Sequence, residues 1–286
     1  MIDYAQKKKL KKFVKNFDQN YLGGTLRRQF GKSGSEKSAG DEEVITPEMQ
    51  AAARAEIVRS AQQPLPSDRD LKRVEILILK YKDPEVETIC AKNLIENTQW
   101  PFKINFFDNR PGTKNMAKIW NKLIRESTCD YVALMDSDAF VPKMEPCWLT
   151  RCMETFETHP DCYLVSPMLD NISFEQQRRS VPKNDPPEKM IEDFANTCMV
   201  FKKETMEKVG WYDEEFLFYG ADPEWAWRFL HTPGVAGYLR PDIVVHHEWH
   251  FSAKKAAAKQ EFNRVAEKAY ANELYKKKTG ADEIEY

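Results

Sequence analysis

The chain has 286 residues, long enough for one large α/β core with an appendage or for two modest domains. Its 43 Lys and Arg stand against 45 Asp and Glu, so the formal charge of −2 singles out no strongly charged partner. No run approaches the roughly 18 apolar residues of a membrane span, and Met1-Ile2-Asp3-Tyr4 leads into a basic segment instead of an apolar one, so a cytoplasmic protein with no secretory signal is expected.

Residues 1–68 differ in texture from the remainder of the chain. Lys7, Lys8, Lys9, Lys11, Lys12 and Lys15 surround Leu10, Phe13, Val14 and Phe17 at helical spacing, which predicts a basic amphipathic helix. A Gly- and Ser-rich linker runs from Gly31 to Gly40, and Thr46-Pro47 opens a second helical pattern as N-cap and first helical residue. Pro64-Leu65-Pro66-Ser67 breaks it. From Val74 the pattern changes. Val74 to Leu79 is an apolar, β-branched run that predicts a buried strand, and Asp83-Pro84 begins a helix reaching to about Asn97. A second strand is expected at Lys103 to Phe107, a helix at Lys114 to Arg125 and a third strand at Tyr131 to Met135. Strand, helix, strand, helix, strand implies a doubly wound, mostly parallel sheet, with ligands at the carboxyl ends of its strands. The Ala- and Lys-rich segment 252–286 predicts a C-terminal helix docked through Phe262, Val265, Ala269 and Leu274. The domains expected are therefore an N-terminal extension at 1–68, an α/β domain at 69–251 and this helix. Six cysteines without any C-x-x-C pair read as reduced, buried thiols.

Three places carry chemistry. Asp136-Ser137-Asp138 ends the third strand, and two carboxylates spaced by two share one side of an extended backbone. A divalent cation such as Mg2+ or Mn2+ relieves their repulsion and binds phosphate oxygens as well; the plainer reading is a turn whose Asp138 or Ser137 caps the next helix. His246-His247-Glu248-Trp249-His250 comes directly after the apolar run Ile243-Val244-Val245, and any of its three histidines is a possible further ligand. Gly220-Ala221-Asp222-Pro223-Glu224 lies in aromatic surroundings; Pro223 at the first helical position makes Asp222 the N-cap, and an acid so placed suits a general base. Trp211 and Trp225 read as packing residues ahead of sugar- or base-stacking ones.

Taken in order, these segments resemble the family 2 glycosyltransferases. The resemblance runs over about 74–249, from Ile76 to Asp83-Pro84, through Phe106-Phe107-Asp108-Asn109, Asn121 and Asp136-Ser137-Asp138. It continues through Met199 to Glu204, Val209-Gly210-Trp211-Tyr212-Asp213 and Tyr219 to Arg228. It implies a GT-A fold and transfer of a sugar from a nucleotide-sugar, a UDP-sugar, to an acceptor hydroxyl with inversion. Tyr81, Asp108, Asn109, Asn121, Asp136 and Ser137 would bind the donor. Asp136, Asp138 and His247 would hold Mn2+ or Mg2+, with His246 or His250 as substitutes for His247. Asp222 would be the general base and Glu224 the second acid of its motif. Ala221 stands where the family usually has an acid, and Arg110 replaces a small residue after Asp-Asn.

The acceptor expected is a glycan or lipid-linked glycan. The basic N-terminal segment offers an alternative, a modified base in viral DNA reached by phosphate neutralisation. A nucleotidyltransferase and a non-catalytic nucleotide-sugar-binding protein are the rival classes; the first has no use for Asp222, the second none for intact carboxylates.

Overall fold

The apolar runs that open the sheet have no polar face because both of their faces are covered. The computed structural model describes residues 73–80, 84–108, 115–217, 219–248, 264–281 and 284. The basic helix and linker expected within 1–68 lie outside the described residues, as do Tyr81, Asn109, Phe262 and His250.

In chain order the elements are β1 (Val74–Lys80), α1 (Pro84–Asn97), β2 (Phe102–Asp108), α2 (Met116–Glu126), β3 (Tyr131–Asp136) and β4 (Ala139–Phe140). Then come α3 (Trp148–Thr158), β5 (Cys162–Leu169), β6 (Glu188–Lys189), β7 (Cys198–Lys202), α4 (Thr205–Val209), α5 (Ala221–Leu230), β8 (Ala236–His247) and α6 (Arg264–Thr279). The strands form one sheet in the order β2-β1-β3-β7-β5-β8-β4, with β6 paired to β8. Strands β2, β1 and β3 pair in parallel, as do β5 and β8, whereas β7 lies antiparallel between β3 and β5. The sheet is thus mostly parallel, as expected, with β7 reversed at its centre and the two-residue β4 and β6 reversed beside β8.

Alternation along the strands sends side chains to two cores. Ile76, Ile78, Tyr131, Ala133 and Met135 meet Cys90 and Leu94 of α1 and Trp148, Cys152 and Phe156 of α3. On the other face, Leu77, Leu79, Val132 and Leu134 meet Ile119 and Leu123 of α2, Trp225 and Phe229 of α5 and Leu274 of α6. Trp225 is fully buried and donates its indole N–H to the Gly210 carbonyl, so it packs and does not stack on a ligand. Of the six thiols, all free, only Cys129 is not buried.

The C-terminal helix corrects an expectation. Val265 is 80% exposed and Ala269 is exposed, while the buried side of α6 is Ala271, Leu274 and Tyr275. At about 100° per residue, Val265 and Leu274 stand nearly half a turn apart, so one contact face cannot hold both. The register of 271, 274 and 275 obeys the i, i+3, i+4 rule.

Strand β8 bulges where its pairing with β5 jumps from Pro167↔Arg240 to Met168↔Val244. Pro241, which cannot donate to a ladder, sits in the bulge. Beyond it β8 runs on to His247, and the two-residue β4 pairs antiparallel with that end, Ala139 opposite His247 and Phe140 opposite His246. This short strand, which no sequence pattern announces, closes the site.

Candidate active site

The chain turns at Ser137-Asp138 and enters β4, so no helix comes next for either residue to cap. The turn points both carboxylates at the end of β8. His247 Nε2 lies 3.7 Å from Asp138 Oδ1 and 3.9 Å from Asp136 Oδ2, and one ligand atom from each of the three residues fits within 4.8 Å. Glu248 N–H donates to the Asp138 carbonyl at 3.0 Å, which fixes the turn against β8. Two carboxylate oxygens and an imidazole nitrogen at this spacing form a donor set suited to a divalent cation that keeps open positions for a phosphate.

The electrostatics agree with that chemistry. Burial first, and then the Asp138 carboxylate, push Asp136 up to about 7 against the pull of His247 and a Thr197 hydrogen bond; Asp222 adds to the push. Asp136 keeps 41% of its side-chain surface open, so this push is softer than in a sealed interior. Burial lowers His247, which holds it neutral, the form a ligand needs. Its Nδ1 lies 3.0 Å from the Asn171 carbonyl, which accepts the ring proton and leaves Nε2 facing the carboxylates. His246 is engaged elsewhere. Its Nδ1 is 2.6 Å from Asp170 Oδ2 and its Nε2 3.5 Å from Glu248 Oε2; although burial opposes the charge, these carboxylates raise it to about 9. Of the two described histidines of this motif, His246 and His247, the geometry therefore favours His247.

Helix α5 carries the third motif. It starts at Ala221, two residues earlier than expected, and its N-cap is Gly220 at φ 93°, so Asp222 lies inside the first turn and does not cap. Gly220 is required there, because an added Cβ would come within 2.7 Å of Phe216 besides demanding a left-handed backbone. Burial pushes Asp222 up to about 6, opposed by its own backbone N–H. It is within electrostatic reach of Asp136 and of buried Tyr212, whose hydroxyl accepts from Asn196 at 2.8 Å. Glu224 is engaged differently. Both its oxygens are held by Arg228, at 2.6 and 2.8 Å, and Arg228 in turn donates to the carbonyls of Val209 and Trp211.

The sequence profile of glycosyl transferase family 2 matches residues 72–214, half of the chain. The chain belongs to glycosyl transferase family 2. The match includes Asp136, Ser137 and Asp138 and ends before Asp222, Glu224 and His247. No curated protein matches it in sequence. Among solved structures it is similar to GalNAc-T7 with UDP, GalNAc and Mn2+, at 10% identity and a TM-score of 0.48 over 76% of this chain and 56% of that one. It is also similar to the mannosyltransferase PcManGT from Pyrobaculum calidifontis in complex with GDP-Man and Mn2+, at 15% identity and 0.46 over 77% and 73% of the two chains. TarS 1-349 of S. aureus is similar at 11% identity and 0.45, over 71% and 70%. The chain thus spans little more than half the length of the first of these.

In this family 2 chain, with its GT-A fold, the remaining expected residues fall in different places. Asp108 ends β2 opposite Lys80, while Phe107, Leu79 and Asp136 share one row of the sheet, so Asp108 and Asp136 are about 10 Å apart across two strand spacings. Ser137 is buried between the two aspartates. Asn121 is 1% exposed; its Oδ1 accepts from Tyr212 N–H and its Nδ2 donates to the Tyr212 carbonyl and Glu214 Oε1, which ties α2 to the loop before α5. Asp170, Asn171 and Thr197 were missed. Asp170 and Asn171 come directly after the carboxyl end of β5, the kind of position at which ligand sites gather, and that was the available signal.

Among the described residues no helix is long and apolar enough to cross a membrane.

Proposed function

We propose that this chain is a metal-dependent, inverting glycosyltransferase that moves a sugar from a UDP-sugar to a hydroxyl of a glycan or lipid-linked glycan. The observation that carries the reading is the pairing of Asp136, Asp138 and His247 with a separate raised carboxyl, Asp222, within electrostatic reach. A nucleotidyltransferase has no use for such a base.

Asp222 takes the proton of the acceptor hydroxyl as that oxygen attacks the anomeric carbon from the side opposite the leaving nucleotide. A carboxyl near 6 is ionised at neutral pH yet basic enough to share a proton in the transition state. Asp136, Asp138 and His247 would hold a divalent cation, Mn2+ or Mg2+, which would supply neutralisation of the charge on the departing diphosphate. The bidentate grip of Glu224 on Arg228 fixes the first turn of α5 against the loop at Val209 to Trp211, so Glu224 positions Asp222 and does not itself exchange protons. Asn121 acts in the same way from α2, and we assign Asp108 and Tyr81 to the nucleotide base and Asn109 to the donor. We assign the catalytic domain to 69–251, working in the cytoplasm.

A thermal-shift screen tests this, with UDP-, GDP-, CDP- and dTDP-sugars in Mn2+ and then in EDTA. A rise in Tm with UDP-sugars that needs Mn2+ and is lost in Asp138→Ala is expected. No shift with any donor would overturn the reading, a rise with another nucleotide would overturn the UDP assignment, and a product retaining the anomeric configuration by NMR would overturn the single displacement.

A further inference from the structure

We infer that Asp170 and Asn171 form a clasp that positions His247, so that the affinity of the Asp136-Asp138-His247 group for a divalent cation is set from the end of β5. This rests on the reading of that group as a metal site.

The pairing of β5 with β8 ends at Leu169↔Val245, so His247 lies two residues past the last ladder contact on that side. The next two residues after β5 take over. Asp170 N–H donates to the Val245 carbonyl at 3.2 Å, and its carboxylate then reaches forward. Oδ1 accepts the backbone N–H of His247 at 3.0 Å and Oδ2 lies 2.6 Å from the His246 ring. Asn171 holds His247 at two further points: its Nδ2 donates to the His247 carbonyl at 3.1 Å and its own carbonyl faces Nδ1 at 3.0 Å. The backbone N–H, the backbone carbonyl and one ring nitrogen of His247 are thereby fixed by two consecutive residues.

An imidazole binds a cation through a neutral nitrogen, and the hydrogen bond made by one nitrogen decides which of the two is free. Here Nδ1–H faces a carbonyl that only accepts, so Nε2 carries the lone pair, and it points at Asp138 and Asp136. The same carboxylate that holds the His247 backbone also holds the neighbouring ring of His246 away from the ligand position. Loosening the clasp frees the ring to turn and the end of β8 to shift. Outer partners of this kind alter metal affinity by about 10- to 100-fold.

The test is Mn2+ binding to the full chain without nucleotide-sugar, with free Mn2+ counted by electron paramagnetic resonance. Asp170→Asn keeps the size of the side chain and one acceptor but loses the second; Asn171→Ala loses the amide that holds the His247 carbonyl and is the milder change if the first impairs folding. Each is expected to weaken Mn2+ binding about tenfold. Transfer lost at low Mn2+ should return when Mn2+ is raised to saturation, which a general structural defect would not allow. Affinities within twofold of the wild type, or transfer that stays lost at saturating Mn2+, overturn the clasp. Failure of the wild type itself to bind Mn2+ overturns the metal site and the clasp with it, whereas equal binding by wild type and variants overturns the clasp alone.

Discussion

Strand β8 carries two charge clusters a few residues apart, and they are built on opposite principles. At the bulge, Asp242 accepts from Arg240 on both oxygens, at 2.8 and 2.7 Å, and from Arg151 at 2.6 Å. Arg240 also donates to the Arg151 carbonyl, and Arg151 to those of Pro146 and Glu145. Burial alone would raise Asp242, yet the two guanidinium groups hold it below the usual carboxylate range. At the strand's end the neighbours of Asp136 are Asp138, Asp222 and a neutral imidazole, and both Asp136 and Asp222 are pushed up, to about 7 and about 6. The first cluster is complete within the chain and locks a bulge. The second gathers like charges that only an outside cation or a proton relieves, and such an arrangement marks a functional site.

That contrast predicts which changes act on rate and which on stability. The largest effect is expected for Asp138→Ala, with sugar transfer reduced about 10^3- to 10^4-fold, because neutralisation of a leaving diphosphate contributes several kcal/mol to the barrier. Transfer assayed across a Mn2+ titration checks it, and retention of more than a tenth of the activity would remove Asp138 from the site. Next is Asp222→Asn, expected to slow transfer about 10^2- to 10^4-fold. The wild-type kcat/KM should fall about tenfold per pH unit below roughly 6, where Asp222 becomes protonated and can no longer accept a proton, and a cation bound nearby shifts that midpoint lower. The residual activity of the variant should lack this limb.

Asp242→Ala reverses the pattern. It leaves two guanidinium groups half-buried and unpaired, and a loss of about 3 kcal/mol in denaturant unfolding at pH 7 is expected. Asp242 is depressed in the folded state, so its contribution is present above the unfolded value near 4 and is lost as the pH falls through the folded one; the gap between wild type and variant should close there. Refolded variant that retains wild-type stability would show the cluster to be ornamental.

Legibility in the sequence depended on which interactions are local. The strands at Val74 to Leu79 and Tyr131 to Met135 were legible because a fully covered strand must be apolar on both faces. The pairing of Asp136 with Asp138 was legible from spacing. The reversed β7 and the two-residue β4 were not, since their direction and pairing depend on residues far along the chain: Asp138 and His247 are brought together by Ala139 lying opposite His247. The separate hydrogen bonding of His246 and His247 is likewise a tertiary matter, set by Asp170 and Asn171 more than seventy residues away. The contact face of α6 was not legible for a different reason: Val265 and Leu274 are alike in type, yet the 100° step puts them on opposite sides of the helix.

The smallest predicted effect separates the two clusters most sharply, because it has the opposite sign to the effect on rate. Asp222 is raised to about 6 in the folded chain from an ordinary value near 4, so between those values the folded state holds the proton more tightly than the unfolded state. Stability from this group therefore falls as the pH rises from about 4, and above about 6 the full cost of an ionised, half-buried carboxylate remains. Asp222→Asn removes that cost. In EDTA at pH 7.5 the variant should be more stable than the wild type by on the order of 1 kcal/mol, allowing for solvent at the mouth of the site, which is a rise in Tm of about 2 to 4 °C. At pH 4 the two should melt together, because the wild-type group is then protonated. A thermal melt at the two pH values measures this directly, and a variant less stable at pH 7.5 would mean that Asp222 serves the fold, as Asp242 does, and not the chemistry.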